Sequence, residues 1–280
     1  MRLTKTLTGT MFIALLAPAA SAQSNYTNNI LLTGYWPQTN NMLRQFSTNP
    51  DQNPDGWAGE NWNNSGYNIY AYFPEFPGQT GPSWGQGQGD FEVDYQDTSA
   101  DWEAILPTIN PAAIMTFSRG AAGSNWELEG RLQMHERRRW LPDYDGDRRP
   151  TKDMPVFQAL TPGEWYDSSL PMDEIMADIN GQDFGVDAFI DNNGGGRFLS
   201  EFIGLHGLMH MINNGSDSDY QTFAAGHIHV GIDTTLEDAE RATEITLNNL
   251  TSHLDLVIPS PPGGAAFIAL TATAFVRRRR

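Results

Sequence analysis

The sequence has no cysteine among its 280 residues. A chain without thiols forms no disulfide bond and offers no cysteine nucleophile, no thiolate ligand for zinc and no cysteine-bound iron–sulfur cluster. A single domain the length of residues 23–258 buries enough apolar surface to fold without disulfide bonds. The absence of cysteine therefore does not argue against an exported protein.

Positive charge is also scarce. The sequence carries 17 lysine and arginine residues against 34 aspartate and glutamate residues. Six of the basic residues lie in the two ends, so residues 23–258 carry 11 basic against 34 acidic residues, a formal net charge of −23. Such a domain repels phosphate backbones and anionic lipid surfaces, and we expect no nucleic-acid partner.

The first 22 residues have the three-part pattern of a secretory signal peptide. Arg2 and Lys5 are basic, residues 11–16 are apolar, and Ala20-Ser21-Ala22 supplies a small-residue cleavage site. We therefore predict cleavage after Ala22 and an exported protein of the cell envelope or the extracellular space. The export machinery is its first expected partner.

The last 22 residues, 259–280, are also predicted to lie outside the domain. A proline-rich motif at 259–262 ends the fold, residues 263–276 carry no charge, and four arginines close the chain. Fourteen uncharged residues fall short of the ~20 that span a bilayer as a helix. This order resembles the PEP-CTERM class of sorting signals, which implies transient membrane anchoring and a sorting machinery as partner. A plain C-terminal anchor is the alternative.

Between these ends, short apolar runs alternate with helical patterns. Strands are predicted at residues 29–34, 68–73, 91–95, 112–117, 188–190 and 226–230, and helices at 40–46, 99–106, 170–179, 198–212 and 236–250, with the second helix capped at 97–99. Alternation of this kind predicts one three-layer α/β domain, residues 23–258, whose mostly parallel or mixed sheet carries helices on both faces.

One serine stands where a predicted helix begins. Ser200 follows a glycine-rich turn, so its hydroxyl group lies among free backbone N–H groups that stabilise an oxyanion. His229, in a short apolar strand, is a candidate base, and a carboxylate would orient its imidazole. A polar side chain in so apolar a strand is expected to have a hydrogen-bond partner or a functional role.

Five segments resemble the pyroglutamyl-peptidase I family, in the same order along the chain. They are Leu32-Thr33-Gly34-Tyr35-Trp36-Pro37, residues 116–129, Leu141-Pro142-Asp143-Tyr144-Asp145-Gly146, Gly195-Gly196-Arg197-Phe198-Leu199-Ser200, and Ala225-Gly226-His227-Ile228-His229-Val230. The last two are the most specific, because they keep the family's spacing and the helix that follows. The resemblance covers most of residues 29–250.

The resemblance implies a fold, an activity and a set of site residues. The family removes an N-terminal pyroglutamate from peptides with a cysteine, a histidine and an acid, without metal or cofactor. In this sequence Ser200 falls on the cysteine, His229 on the histidine and Glu129 on the acid, while Asp143 falls on a second acid nearby. Glu127 competes with Glu129, because alternate residues of a strand share a face.

The residues expected to line the pocket differ from those of the family, and these differences change which substrate is expected. Tyr35 takes the place of the first aromatic of the opening loop, and Arg119 replaces a glutamine that helps to hold the pyroglutamyl ring. Phe198 and Leu199 keep an apolar wall. Arginine suits an anionic or more polar group, so a hydrolase site can persist here while specificity for pyroglutamate is lost. The expected substrate is a peptide or small amide with an N-terminal pyroglutamate or a related blocked residue.

Two other hypotheses remain open at this point. His227 and His229 lie on one strand face, and His206 and His210 lie four apart on one helix face, which are spacings that suit zinc. Alternatively, the domain has lost its nucleophile and is an inactive fold that binds a ligand at the cell surface.

Overall fold

The computed structural model describes residues 26–78, 84–146, 148–214 and 220–258. These residues belong to a compact unit, Asn25–Ile258. The predicted signal peptide (1–22) and the predicted tail (259–280) lie outside the described residues. Among the described residues, no helix is both long enough and apolar enough to cross a membrane.

Strands and helices alternate along most of the chain. The strands are β1 (Asn29–Gly34), β2 (Asn68–Tyr72), β3 (Ala113–Arg119), β4 (Asn125–Glu129), β5 (Arg131–Gln133), β6 (Trp165–Asp167), β7 (Asp187–Asp191) and β8 (Ala224–Val230). The α-helices are α1 (Pro37–Leu43), α2 (Tyr95–Ile109), α3 (Pro155–Ala159), α4 (Met172–Asn180), α5 (Leu199–Asn213) and α6 (Leu236–Val257). Short 3-10 helices cover Arg44–Phe46, Trp62–Asn64 and Arg137–Arg139.

Six of the strands form one mixed sheet in the order β2-β1-β3-β8-β4-β7. The first four run parallel to one another, β4 runs antiparallel to β8, and β7 runs parallel to β4. The mixed sheet predicted from the sequence is confirmed. Helical crossovers between the parallel strands follow from the alternation of elements along the chain.

Alternate residues of the central strands pack in two hydrophobic cores, one on each face of the sheet. Ile30 and Leu32 of β1 pack with α1, α4 and α6, whereas Leu31, between them, packs with α2, α3 and α5. A strand that is buried on both faces reads as a continuous apolar run, as residues 30–32 do. The predicted three-layer architecture is therefore confirmed.

The strand predicted at residues 91–95 is wrong. Phe91 is fully buried in a turn with φ 56°, and Tyr95 already belongs to α2. The side chain of Asp94 accepts hydrogen bonds from the backbone N–H groups of Gln96 (2.7 Å) and Asp97 (3.1 Å) and thereby caps the helix. The cap predicted at residues 97–99 lies inside the first turn of the same helix.

A second, two-stranded sheet was not predicted. β5 and β6 pair antiparallel beside the main sheet, with Leu132 opposite Tyr166. Leu132 is fully buried against α5, so the small sheet covers the first half of that helix.

Candidate active site

Three strands of the main sheet and the start of α5 meet at one edge of the sheet. β3 and β8 are parallel, so their carboxyl ends lie together, and α5 packs on both. In register, Ser118 of β3 is the Cα partner of His229 on one side, and Glu127 of β4 is its partner on the other. The segments that carry Ser118, Glu129, Ser200 and His229 are thus adjacent in space although far apart in sequence.

His229 is held by a buried carboxylate. Its Nδ1 lies 2.7 Å from Oε1 of Glu129, which is 1% exposed, while His229 itself is 8% exposed. When Nδ1–H donates to Glu129, Nε2 carries the free lone pair and is the proton acceptor. None of the hydrogen bonds among the described residues engages Nε2, so this nitrogen remains available for a substrate or a nucleophile.

A second carboxylate stands farther from the same imidazole. Oε2 of Glu127 lies 3.9 Å from His229 Nδ1, which is an ion-pair distance and not a hydrogen bond. Burial raises the pKa of both Glu127 and Glu129, and contact with His229 opposes that rise. Glu129 therefore orients the imidazole, and Glu127 contributes a longer-range charge.

Ser200 lies in the first turn of α5. Helix α5 begins after Phe198, which gives no side-chain cap, so the first backbone N–H groups of the helix are not capped by a side chain. The Oγ atom of Ser200 accepts a hydrogen bond of 2.9 Å from the Ser118 hydroxyl. Among the described residues, no hydrogen bond joins Ser200 directly to His229.

Ser118 connects Ser200 to a second histidine. His227 Nε2 lies 2.9 Å from Ser118 Oγ, and His227 Nδ1 lies 2.7 Å from Thr116 Oγ1. Since Ser118 donates to Ser200, Nε2–H donates to Ser118 and Nδ1 is the acceptor of the neutral ring. The single Thr116 proton then goes to Nδ1 at 2.7 Å and not to the more distant Gly226 carbonyl at 3.3 Å. Burial, and then the neighbouring His229, hold the pKa of His227 well below its usual range, so its ring is neutral.

Glu201, next to the serine, is a buried acid. It is fully buried, and the backbone N–H of Gln133 donates to its Oε1 atom. Burial raises the pKa of Glu201 to about 8, although the backbone N–H groups of Gln133 and Gly195 lower it. Its carboxyl group is therefore protonated at neutral pH, which spares the surroundings of Glu129 and His229 another negative charge.

A cleft of about 170 Å³ opens in front of Ser200. All four residues predicted to bind substrate line this cleft, namely Tyr35, Arg119, Phe198 and Leu199. Its walls also contain Trp36, Trp84, Val93, Tyr144 and Ser118.

The cleft contains a positive charge. The Arg119 guanidinium lies 5.9 Å from the centre of the Trp36 ring and has no ion pair among the described residues. No acidic side chain is found among the described residues that line the cleft.

The structure does not bring Asp143 to the histidine. Its carboxyl group interacts with that of Asp94, and burial and this second acid raise the pKa of Asp143 to about 6. The neighbouring Tyr144, not Asp143, reaches the cleft. We therefore assign Asp143 to the loop that carries Tyr144 and not to proton transfer.

The structure does not bring together the four histidines of the alternative zinc hypothesis, His206, His210, His227 and His229. Both ring nitrogens of His227 are engaged by Thr116 and Ser118, and His206 Nε2 lies 3.0 Å from Ser99 Oγ. His210 contacts Tyr220 at the far end of α5 (2.6 Å). In the described part of the chain, the residues close enough together to hold a metal are Glu127, Glu129 and His229.

Two residues of the site, Ser118 and Glu201, were not predicted from the sequence. Ser118 is an ordinary strand residue in sequence, and only the register of β3 against β8 places it between Ser200 and His227. Glu201 could have been noticed, because an acid inside the apolar run of residues 198–209 requires a compensating contact.

The fold resembles solved structures of one enzyme family. The pyrrolidone carboxyl peptidase of Thermococcus litoralis matches with a TM-score of 0.57 and 16% identity, over 81% of this chain and 95% of that chain. The pyrrolidone carboxyl peptidase of the hyperthermophile Pyrococcus furiosus matches with a TM-score of 0.56 and 16% identity, over 81% and 99% of the two chains. The fold is that of the pyrrolidone carboxyl peptidases.

At this identity the likeness concerns the fold alone. No protein-family model matches the sequence, and a comparison with curated proteins also gives no match. The fold resemblance inferred from the five sequence segments is therefore confirmed, while the activity rests on the geometry of the site.

Proposed function

We propose that this chain is an amide hydrolase that removes pyroglutamate or a related blocked residue from the N-terminus of a peptide. One observation carries the proposal: the 2.7 Å contact between His229 and the buried Glu129, at the sheet edge where α5 presents Ser200. A base oriented by a carboxylate beside a hydroxyl at a helix start is the arrangement of nucleophilic acyl transfer.

The proposed reaction has two halves. The Ser200 oxygen attacks the substrate carbonyl carbon while His229 Nε2 takes the hydroxyl proton, and the carbonyl oxygen becomes an oxyanion facing the uncapped N–H groups of α5. Collapse breaks the C–N bond, and the amine leaves with the proton from His229. Water, deprotonated by the same nitrogen, then hydrolyses the acyl-serine ester.

Ser118 supports serine as the nucleophile. Because Ser118 donates to the Ser200 oxygen, the Ser200 proton remains free to move towards a base. Serine depends on such a base more than cysteine does, since its hydroxyl group is far less acidic than a thiol. The register that pairs Ser118 with His229 supports an approach of His229 to Ser200 when substrate binds, because catalytic hydrogen bonds often tighten in the complex.

The size and the lining of the cleft indicate which acyl group it can hold. Its volume of about 170 Å³ is below the roughly 300–1,000 Å³ of pockets for drug-sized ligands, so it suits one small acyl residue. Aromatic walls cover the faces of a ring, and Arg119 supplies one positive charge at the cleft. We propose that the acyl residue carries a carboxylate or a strongly polar carbonyl group in addition to the amide that is cleaved.

Turnover of a set of fluorogenic amides tests the proposal. The set contains a pyroglutamyl amide and acyl groups that add a carboxylate, and the proteins are the native chain, Ser200→Cys and Ser200→Ala. We expect the native chain and Ser200→Cys to hydrolyse at least one amide and Ser200→Ala to lose at least about 10³-fold in kcat. Full activity of Ser200→Ala contradicts the serine mechanism.

Covalent labelling provides a second readout. A fluorophosphonate reagent attacks an activated serine, so mass spectrometry of the native protein should find the adduct on Ser200. The adduct should be lost in Glu129→Ala, where the imidazole is no longer oriented. If neither the native chain nor Ser200→Cys hydrolyses any amide and Ser200 remains unlabelled, the domain is not a hydrolase of this type, and the binding domain becomes the better hypothesis.

We also propose that the protein works outside the cytoplasm. The support is the three-part pattern of residues 1–22 and the apolar, arginine-terminated segment 259–280. Cell fractionation tests both ends. The native chain should appear in envelope or external fractions, and deletion of residues 259–280 should release it from membranes. Recovery of the native chain in the cytoplasm alone contradicts the proposal.

A further inference from the structure

A cluster of arginines lines a second cleft in this acidic protein. Arg137, Arg138, Arg148 and Arg149 surround a space of about 650 Å³, together with Gln96 and Thr151. Only 11 basic residues occur between residues 23 and 258, against 34 acidic residues. More than a third of the positive side chains of the domain are thus concentrated in one place, which we call the basic cleft.

Two local structures hold these arginines. The 3-10 helix Arg137–Arg139 presents the first pair on one side. On the other side, the Asp143 N–H donates to the Arg148 carbonyl at 3.1 Å. Gln96 of α2 donates to the Arg149 carbonyl at 3.2 Å. All four arginines of the basic cleft are exposed, and the Arg149 guanidinium donates to the Arg138 carbonyl at 3.5 Å across it.

Most of the positive charge in the basic cleft is uncompensated. Arg148 is paired with Asp145 at 2.5 Å and lies 3.8 Å from Asp94. Within the described parts of the chain, Arg137, Arg138 and Arg149 form no ion pair. Like charges repel when gathered, and this chain has many carboxylates that could neutralise them. Exposed guanidinium groups left unpaired in such a protein point to an anionic ligand.

The basic cleft lies beside the cleft that holds Ser200. Tyr144 lines the Ser200 cleft, and Arg148, close to it in the sequence, lines the basic cleft. The Tyr144 ring packs against Phe198, two residues before Ser200 in the chain, with ring centres 5.8 Å apart. The two clefts are therefore connected through the residues around Tyr144 and Arg148.

We propose that the basic cleft binds the carboxylates of an acidic peptide segment that follows the residue removed at Ser200. This inference rests on the proposed function, because it assigns the leaving-group side of the same substrate. The substrate class is then a peptide with a blocked N-terminal residue followed by aspartate or glutamate. Arginine pairs with carboxylates through two parallel hydrogen bonds, which gives such a segment a defined position.

Peptide binding tests the inference without turnover. Two fluorescently labelled peptides are compared, both beginning with pyroglutamate, one continuing with four glutamates and one with four glutamines. Ser200→Ala serves as the parent protein, so neither peptide is cleaved. We expect the glutamate peptide to bind at least about tenfold more tightly than the glutamine peptide at low salt, and the difference to shrink as salt is added.

Substitutions locate the binding site. Arg137→Gln/Arg138→Gln, on an exposed 3-10 helix outside the catalytic residues, should remove most of the preference for the glutamate peptide. Arg241→Gln is the control for the loss of a positive charge elsewhere, because its guanidinium lies over Phe184. Each single substitution, Arg137→Gln and Arg138→Gln, is compared with it. The control should keep the preference. Equal losses in both variants, or none in either, overturn the inference.

The outcomes separate this inference from the hydrolase proposal. If the native chain cleaves both peptides at equal rates and binds them equally, the hydrolase stands and the basic cleft has no role in substrate choice. If the glutamate peptide binds through Arg137 and Arg138 but no peptide is cleaved, the basic cleft stands and the hydrolase fails. Binding of a sulfated polysaccharide through these arginines, without binding of the acidic peptide, overturns the inference.

Discussion

In the proposed mechanism Glu129 has two roles towards His229, and a substitution that removes only its charge separates them. Its oxygen fixes the tautomer of His229, and its negative charge would stabilise the imidazolium formed when Ser200 loses its proton. Glu129→Gln keeps an oxygen near Nδ1 but removes the charge, so we expect kcat to fall by about 10²–10⁴-fold with little change in KM. Steady-state kinetics on the best amide substrate measure both constants.

Glu127→Gln is the control for this prediction. At 3.9 Å Glu127 makes no hydrogen bond with His229, so its loss should cost less than about tenfold in kcat. An equal or larger loss in Glu127→Gln would assign the orienting role to Glu127 and contradict the roles given above.

Glu201 makes the stability of the protein depend on pH. Burial raises its pKa from 4.5 to about 8 in the folded protein. An acid with a raised pKa holds its proton in the folded chain after the unfolded chain has lost it. Its contribution is therefore complete below pH 4.5 and is lost as the pH rises towards 8. We expect the free energy of unfolding to fall by a few kcal/mol across this window.

Urea unfolding at pH 5 and pH 8 tests this contribution. Glu201→Gln remains neutral at both values, so it should lose much of the pH dependence that the native chain shows. Glu174→Gln, on the exposed first turn of α4, should keep the native pH dependence. The assignment fails if Glu201→Gln and the native chain change in parallel.

At the scale of elements, the position of Ser200 depends on how closely α5 approaches the sheet. A Cβ atom at Gly204 would lie 2.5 Å from Leu132 Cδ1 and 3.1 Å from His227 Cβ, whereas one at Gly207 would lie 3.1 Å from Ile114 Cγ2. Alanine is favoured over glycine inside a helix by roughly 1 kcal/mol at either position. The collision with two neighbours opposes that gain at Gly204.

We expect Gly204→Ala to be less stable than Gly207→Ala by about 1–3 kcal/mol. The substitution at Gly204 should also lower kcat, because it displaces α5 from the strand that carries His227 and His229. Denaturant unfolding and turnover of both variants provide the comparison. A Gly204→Ala protein that is as stable and as active as Gly207→Ala would contradict this account of the packing.

The sequence predicted most of the large elements, because their apolar periods are long. Residues 29–34 and 226–230 were expected as strands and form them, and α5 differs from its prediction by one residue at each end. The segment 91–95 failed because its alternation is equally compatible with a turn that leads into a capped helix. β5 and β6 were missed, since three residues are too few to show a period.

Site residues could be proposed from the sequence where a single side chain, such as a histidine or an acid, has a recognisable chemical function. The structure places Glu129 against His229 and puts Ser200 in the adjoining cleft, while the catalytic roles of these residues stay predictions. Contacts that depend on the register between strands could not be predicted from the sequence. The hydrogen bonds of Ser118 are an example. The contact of Asp143 with Asp94 was also not predicted, because position in a motif does not report which way a side chain points.

For the whole molecule, net charge is the dominant electrostatic feature. Residues 23–258 carry a formal charge of −23, and self-repulsion weakens the compact state. Added salt from about 10 mM to about 1 M shortens the Debye length from about 30 Å to about 3 Å. We expect the thermal unfolding midpoint to rise by several degrees over that range.

Calorimetry in NaCl and in sucrose separates screening from a general solute effect. Screening acts at low concentrations of NaCl, whereas sucrose at equal osmolarity carries no charge and should raise the midpoint less. A midpoint that rises equally in both solutes, or falls in NaCl, would show that self-repulsion does not limit the stability of this domain.

The pairing of β4 with β8 joins an acid and a base that lie 100 positions apart in the chain. During synthesis, Glu129 leaves the ribosome long before His229 exists, and their strands meet only when the last strand of the sheet has been added. The proposed hydrolase is therefore inactive until β8 has been synthesised and has paired with β4. No fragment that ends before β8 has both members of the pair, so a truncated product should be inert and harmless to other peptides in the cell.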